Sequence, residues 1–238
     1  MAAPAPAPSS RRHRYPGEVI AHCVWLSFCL PLSSRQVELL MAQRGIAVTY
    51  ETIRRWCRTF GQQYANRLRR RRPKPGDKWH LDEVFLTIGG ETRSRWRAVD
   101  QDGNVLDILV HSRRDRAAAE KVFRKLLRAD ESVPRVIITD KVRSYGAAKK
   151  VLLPGVEHRA HKGLNNRAEN AHRPTRQRER ARQRFKSPGE AQRFLAAFEP
   201  ISGHVRLPRR RLGAAERRQE RVRRFEVWDE VTGVRAAA

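Results

Sequence analysis

Hydrophobic positions follow a helical period in the first third of the chain. The apolar segment 18–30 predicts a first helix, and Ser33 with Gln36 forms a capping-box pattern that opens a second one. After a turn at Gly45, Thr49 is placed to cap a third helix, which begins YETIRRWCRTF. Two short helices joined by a glycine-containing turn indicate a helix-turn-helix, although an ordinary small helical bundle has the same pattern.

The pattern changes to β-branched segments after residue 76. KWHLDEVFLTI, TRSRWRAVD and NVLDILVHS predict three successive strands, with an Asp-Gly turn between the second and the third. RVIITD and EHRAH predict two short strands, separated by helical segments, and SPGEAQRFLAAF carries a further capping pattern. The order βββ-α-β-α-β-α predicts an α/β fold with a mixed sheet and helices on its faces.

The charge of the chain indicates a polyanionic partner. Lys and Arg number 51 against 25 Asp and Glu, which gives a formal charge of +26 over 238 residues. A folded protein with this charge repels itself unless a polyanion is present, and guanidinium groups suit phosphate contacts. Nucleic acid is therefore the expected partner. An anionic membrane is the rival, but no segment is a convincing basic amphipathic anchor.

The cysteines and the apolar segments indicate the cellular compartment of the protein. The three cysteines form no CxxC pair, which argues against a disulfide framework and against a cysteine zinc site. The longest apolar segment, VIAHCVWLSFCLPL, is too short to span a bilayer and leads directly into helical pattern. We therefore expect a core helix there, a cytoplasmic protein and no membrane partner.

Two aspartates in the strand region are candidates for chemistry. Asp140 ends a short strand just before a helix, where active residues of open sheets gather. Asp82 lies within an apolar strand, where a carboxylate is costly to bury unless it binds a metal or a cation. Glu83, Asp100 and Asp107 are acids of similar type that the pattern alone does not exclude.

Glu169 is the third candidate acid, in the stretch GLNNRAENAHRPTRQRER. Asn166 three residues earlier offers a simpler interpretation, because an acid in a first helical turn is a common capping residue. Downstream spacing favours a function, since Glu169 starts a helical face that continues with cations. That face comprises Glu169, His172, Arg173, Arg176 and Arg180. A metal-binding carboxylate beside cations for a DNA backbone has this arrangement.

Several blocks resemble one family over residues 15–203. They are HLDEVFLTIGG, WRAVDQDGNVLDILVHSRRDRAAAEKVF, ITDKVRSYGAAKK and GVEHRAHKGLNNRAENAHRPTRQRERARQRFKSPGEAQRF. These blocks resemble the DDE transposases of bacterial insertion sequences, specifically the IS-six/IS-twenty-six group. The resemblance implies a ribonuclease-H-like catalytic core preceded by an N-terminal helix-turn-helix. By the same resemblance, Asp82, Asp140 and Glu169 are the catalytic acids, and Arg176 is the basic residue seven positions after the glutamate.

The implied activity is metal-dependent DNA cleavage and strand transfer. Three carboxylates suit two Mg²⁺ (or Mn²⁺) ions, which activate the attacking hydroxyl and stabilise the leaving oxygen. The expected partners are double-stranded DNA, as terminal inverted repeats and target, and further copies of the chain on that DNA; the resemblance implies a cointegrate product. The residues expected to contact DNA are all basic: Arg54, Arg55, Arg58, Lys141, Arg173, Arg176 and Arg180.

One departure from the family and two alternatives stay open. The gap from Asp140 to Glu169 holds 28 residues (169 − 140 − 1), shorter than the family's usual gap, whereas Glu179 would make it longer. Spacing does not choose between the two glutamates; the NNRAEN block and Arg176 favour Glu169. The alternatives are a helix-turn-helix regulator with an inactive core, and a recombinase that uses Tyr145 as its nucleophile.

The pattern also predicts a division of the chain into five segments. They are a disordered tail (1–14), a helix-turn-helix region (15–70), a basic linker (71–76), a catalytic core (77–200) and a basic tail (201–238).

Overall fold

The structure is a computed structural model that describes residues 13–72, 74–113, 115–130, 133–140, 143–160, 185–207 and 212–234. The chain forms two compact units, one of Met1–Arg72 with Ala197–Ala238 and the other of Pro73–Ala196. The segment boundaries drawn from the sequence stay predictions. In the compact units, the chain from Ala197 onward is grouped with the N-terminal helices.

The first unit begins with three helices whose starts follow the predicted caps. They are α1 (Gly17–Cys29), α2 (Ser34–Ala42) and α3 (Tyr50–Arg71). Ser33 Oγ accepts a hydrogen bond from Gln36 N at 3.3 Å, and Gln36 Oε1 accepts one from Ser33 N at 2.8 Å. Gly45 makes the turn with φ of 73°, and Thr49 Oγ1 accepts from Thr52 N at 3.4 Å. The capping box and the third cap are confirmed.

The second half of α3 packs against a C-terminal helix. Apolar residues recur along α3 at Phe60, Tyr64 and Leu68, which are buried. The Tyr64 ring meets Trp228 of α7 (Ala214–Thr232) edge-on, with ring centroids 5.5 Å apart. Arg67 Nη1 donates to the carbonyl oxygen of Val231 at 2.6 Å. The C-terminal residues, predicted only as a helix-prone tail, therefore complete the core of this unit.

The second unit is built on a five-stranded sheet. Its strands are β1 (Lys78–Ile88), β2 (Glu91–Asp100), β3 (Val105–His111), β4 (Val136–Thr139) and β5 (Glu157–Ala160). The order is β3-β2-β1-β4-β5, with β1, β2 and β3 antiparallel and β1, β4 and β5 parallel. This is the mixed sheet of the predicted ribonuclease-H-like core.

Two helices cover one face of this sheet. They are α4 (Arg116–Asp130) and α5 (Arg143–Leu152). Asp115 Oδ1 accepts from Ala118 N at 2.8 Å, so the predicted N-terminal cap of α4 is present. Trp79, Leu81 and Trp96 of the sheet are fully buried in the core with α4 and α5. Since side chains alternate along a strand, the intervening residues of β1 and β2 belong to the opposite face.

α6 (Pro188–Val205) follows the sheet and starts at the predicted capping pattern. Ser187 Oγ accepts from Glu190 N at 3.2 Å. Near its start, Gln192 bonds the outer edge of β3, because its Oε1 accepts from Val110 N at 2.7 Å and its Nε2 donates to Ile108 O at 3.1 Å. Gln192 thus satisfies two main-chain groups that an edge strand otherwise offers for pairing. Among the helices of the described ranges, none is long and apolar enough to cross a membrane.

Candidate active site

Two aspartates occupy neighbouring positions on the central strands of the sheet. β1 and β4 are parallel, and their register ends with Leu81 opposite Thr139. Asp82 is the next residue of β1 and Asp140 directly follows β4, so the same register continued by one residue would set them side by side. Adjacent strands lie about 4.8 Å apart. The strand pairing is therefore compatible with a shared site for two of the three acids that the sequence singled out.

Asp82 is a buried carboxylate in the middle of its strand. It is 7% exposed, and its Oδ1 accepts a hydrogen bond from the main-chain N of Glu83 at 2.8 Å. A buried carboxylate is costly unless a cation or a metal compensates its charge. The register of β1 with β2 places such a cation opposite it, since Asp82 pairs with Arg97.

The sheet face that carries Asp82 also carries a row of arginines. Arg93, Arg95 and Arg97 alternate along β2 and pair across to Leu86, Val84 and Asp82 of β1, respectively. Arg95 and Arg97 are buried, at 0% and 4% exposure. The sequence analysis missed these residues, because arginines alternating in TRSRWRAVD have the pattern of a solvent-facing strand. The available signal was their alternation, which places all three on one face of β2, the face that the antiparallel register shares with Asp82.

The end of β4, next to Asp140, is fixed by side-chain hydrogen bonds. Thr139 is fully buried; its Oγ1 donates to Asp140 O at 2.7 Å and lies 2.9 Å from His158 Nε2. Because the Thr139 proton is engaged, His158 Nε2–H donates to Thr139 Oγ1. Burial lowers the pKa of His158, and Lys149 lowers it further. A neutral imidazole on β5 thus holds the main chain that presents Asp140.

Two of the alternative acids have structural roles. Asp100 ends β2, and its carboxylate accepts from Asp102 N and Asn104 N, both at 2.9 Å, so it closes the β2–β3 turn. Asp107, for which the sequence offered no account, forms an ion pair with Lys125 of α4 at 2.9 Å. Glu83 lies on the opposite face of β1 from Asp82 by alternation.

Tyr145, the nucleophile of the recombinase alternative, belongs to the hydrophobic core. It is 1% exposed, and its ring meets Trp96 and Phe123 edge-on, with centroids 5.2 and 6.4 Å apart. A nucleophile for DNA must reach a phosphate at the surface. This position is a reason to reject the recombinase interpretation.

The third predicted acid, its alternative and four of the cations predicted to contact DNA lie outside the described residues. These positions are Lys141, Glu169, Arg173, Arg176, Glu179 and Arg180. Within the described ranges no cluster of three or more His, Cys, Asp or Glu side chains could hold a metal. Asp82 and Asp140 therefore supply only part of the expected ligand set.

The three arginines predicted to read DNA lie on the surface of α3. Arg54, Arg55 and Arg58 are exposed, while Ile53 and Trp56 on the opposite side of the helix are buried. Arg54 is 3.5 Å from Glu51, one turn earlier. The exposed half of α3 therefore offers cations to a partner.

Known proteins resemble the chain in sequence and fold. A family model described as a DDE domain matches residues 76–207, more than half of the chain. The transposase for the insertion sequence-like element IS431mec of Staphylococcus aureus is 27% identical over 207 residues, covering 85% of this chain and 91% of that protein. The transposase of insertion sequence element IS257 in transposon Tn4003, also from S. aureus, matches with the same identity and coverage.

Solved structures give weaker matches. The HTLV-2 integrase catalytic core in complex with magnesium is 13% identical with a TM-score of 0.41, covering 62% of this chain and 97% of that one. The catalytic domain of Mos1 mariner transposase is 12% identical with a TM-score of 0.37, covering 74% and 92%. The family match and the strand order are the stronger findings. The chain therefore belongs to the DDE-domain transposase family, the DNA phosphoryl-transfer enzymes of insertion sequences.

Proposed function

We propose that the chain binds the terminal inverted repeats of its insertion sequence and cleaves and joins DNA at a site made of Asp82, Asp140 and Glu169. The observation that supports this most strongly is the parallel register of β1 and β4, which ends with Leu81 opposite Thr139, the residues just before Asp82 and Asp140. Two carboxylates on adjacent parallel strands repel each other unless cations lie between or beside them. A divalent metal bound between the two carboxylates would neutralise that repulsion.

The donor set fits a hard cation. Asp82 and Asp140 offer carboxylate oxygens, which suit Mg²⁺ or Mn²⁺ rather than Zn²⁺. We infer that Glu169 completes the set, as the family resemblance implies. When bound, two Mg²⁺ ions would lower the pKa of an attacking water or 3′-hydroxyl and stabilise the leaving oxygen.

The residues themselves supply rigidity and charge. Asp82 is fixed within a strand that pairs on both sides, and its Oδ1 is held by the main-chain N of Glu83. Asp140 follows a strand whose end is bonded to His158 through Thr139. Sites held on rigid elements keep the geometry that an in-line displacement needs. No covalent bond between protein and DNA is required.

Recognition of DNA ends is proposed for the helical region, with residues 49–58 in the major groove. The exposed positions of Arg54, Arg55 and Arg58 support this assignment. The DNA backbone near the catalytic acids is proposed to contact Lys141, Arg173, Arg176 and Arg180. Several copies of the chain are proposed to assemble on the two DNA ends.

End-cleavage assays with single variants test the catalytic assignment. Purified protein is incubated with labelled element-end DNA and Mg²⁺, Mn²⁺, Ca²⁺ or EDTA. We expect nicking and strand transfer with Mg²⁺ or Mn²⁺, and binding alone with Ca²⁺. Asp82→Asn and Asp140→Asn should abolish cleavage but retain DNA binding, whereas Asp107→Asn, matched in chemistry on β3, should retain both. Undiminished nicking in excess EDTA would refute the metal mechanism, and binding without nicking under all conditions would favour the inactive regulator.

Glu169 and Glu179 are separated by the same assay. Glu169→Gln should lose cleavage while its DNA binding and melting temperature stay near those of wild type, and Glu179→Gln should remain active. If Glu169 only capped a helix, Glu169→Gln would be an active protein with slightly lower stability. An active Glu169→Gln variant would overturn the assignment of the third acid.

Salt dependence tests the proposed role of α3. Replacing Arg55 and Arg58 with alanine should reduce the slope of log K against log salt by about 1.8, since each lost phosphate contact removes about 0.9. Arg116→Ala, an exposed arginine of α4 that pairs with Glu120 at 2.8 Å, is the control and should leave the slope unchanged. Equal slopes for wild type and the α3 variant would contradict the assignment.

A further inference from the structure

Arg97 and Asp82 form a cross-strand pair at the centre of the sheet. They are direct partners in the antiparallel register of β1 and β2, so their side chains project from the same face of the sheet. Both are buried, with 4% of Arg97 and 7% of Asp82 exposed. Directly opposed residues of antiparallel strands have Cβ atoms about 5 Å apart, within reach of an arginine side chain.

Arg97 and Asp82 carry opposite charges. A guanidinium keeps its proton in proteins, so Arg97 is a permanent positive charge beneath the surface. A buried charge of this kind persists only with a compensating partner. Asp82 is the acid directly opposite Arg97 in the register. On the same face, the pairs on either side are His80 with Val99 and Val84 with Arg95.

We propose that Arg97 is a positioning residue that serves as the resident counter-ion of Asp82 when no metal is bound. This inference rests on the proposed function, since it takes Asp82 to be a metal ligand. The Arg97 guanidinium stabilises and orients the Asp82 carboxylate before metal binds. It also opposes the divalent cation electrostatically, and so weakens metal binding. A site built in this way stays ordered without metal, and binds metal more weakly until other ligands, such as DNA phosphates, add negative charge.

Two opposite effects of Arg97→Gln follow. Without metal, the variant loses the counter-ion of a buried carboxylate and should be less stable. With metal, the repulsion is gone, so Mn²⁺ should bind more tightly. A unit charge about 5 Å from a divalent ion contributes enough to shift the half-saturating concentration by at least about tenfold, even at a high effective dielectric constant.

Thermal unfolding of the full chain measures both effects without relying on activity. Melting temperatures are recorded in EDTA and across a Mn²⁺ titration for wild type, Arg97→Gln, Arg97→Lys and Arg95→Gln. Arg97→Gln should melt lower in EDTA and reach half of its Mn²⁺-induced rise at a concentration at least about tenfold lower than wild type. Arg97→Lys keeps the charge and should resemble wild type. Arg95→Gln removes a buried arginine opposite an uncharged residue, so it should lose stability without gaining metal affinity.

A double-mutant cycle in EDTA keeps the test decisive if Arg97→Gln is poorly stable. Because the proposed partner is Asp82, the loss in melting temperature caused by Arg97→Gln should be smaller in an Asp82→Asn background. Additive losses, or Mn²⁺ affinity equal to that of wild type, would overturn the inference. So would an equal gain of affinity in Arg95→Gln.

Failure of the proposed function has a different signature. In that case wild type would show no Mn²⁺-induced rise in melting temperature, and Asp82→Asn would cleave element-end DNA as wild type does. If wild type responds to Mn²⁺ and depends on Asp82 for cleavage, while Arg97→Gln shows no tighter binding, only the inference about Arg97 fails.

Discussion

Replacing Asp100 with alanine should destabilise the catalytic unit while leaving its chemistry intact. The Asp100 side chain is 2% exposed. Its Oδ1 accepts from Asp102 N and Asn104 N at 2.9 Å, and its Oδ2 accepts from Asn104 Nδ2 at 3.0 Å. The carboxylate thus ties three donors of the β2–β3 turn to the end of β2.

The magnitude follows from the exposure of the donors. Asp102, Gly103 and Asn104 are exposed, so water replaces the acceptor at each donor once the carboxylate is removed. Each hydrogen bond then contributes about 1 kcal/mol, less than the roughly 1.5–3 kcal/mol typical of hydrogen bonds to charged groups, and the sum is about 3 kcal/mol. Asp100→Asn keeps one oxygen as an acceptor but loses the bond to Asn104 Nδ2, so it should lose about 1 kcal/mol.

Urea unfolding and end-cleavage assays check this prediction together. Unfolding can be followed by the fluorescence of Trp79 and Trp96, which are buried in this unit. The order of stability should be wild type, Asp100→Asn, Asp100→Ala, and all three should cleave DNA at a temperature where they are folded. Unchanged stability of Asp100→Ala would refute the hydrogen-bond account. A folded but inactive Asp100→Ala protein would indicate that Asp100 takes part in catalysis.

Four further changes test other parts of the structure. Burial lowers the pKa of His204 below its ordinary value of 6.5, so the neutral form of His204 stabilises the fold. The free energy of unfolding should therefore fall as the pH drops below about 6.5. This fall should be smaller in His204→Gln. Ser33→Ala removes the N-cap of α2 and should lower the unfolding free energy by about 1 kcal/mol, measured in urea. A Cβ at Gly61 would lie 2.8 Å from Phe28 Cε2, so Gly61→Ala should lower the melting temperature. Gly146→Ala, where that Cβ meets nothing closer than 3.8 Å, should raise it slightly.

Local signals in the sequence predicted most elements of the fold. The capping patterns at Ser33, Thr49 and Asp115 each start a helix in the structure. The β-branched segments predicted all five strands that the structure describes. These signals act over a few residues, so they can be read without knowing the tertiary structure.

Long-range features could not be predicted in this way. The burial of Arg95 and Arg97 could not be predicted, because local alternation does not reveal what covers a sheet face. The role of Asp107 depends on Lys125, eighteen residues away on α4. Part of the site could be predicted because Asp82 and Asp140 are each an acid in or directly after an apolar strand segment. Their proximity, however, depends on parallel strand pairing across 57 intervening residues (140 − 82 − 1).

The discontinuity of the first unit has a consequence for biosynthesis. Trp25 and Tyr64 meet Phe225 and Trp228 of α7, with ring centroids 5.6 and 5.5 Å apart. A ribosome adds roughly 5–20 residues per second, so α7 follows Arg72 by roughly 10–30 s. During that interval the nascent N-terminal helices expose the aromatic surface that α7 will cover. A prematurely terminated chain would keep that surface exposed, which makes it a substrate for chaperones and proteases rather than a free DNA-binding fragment.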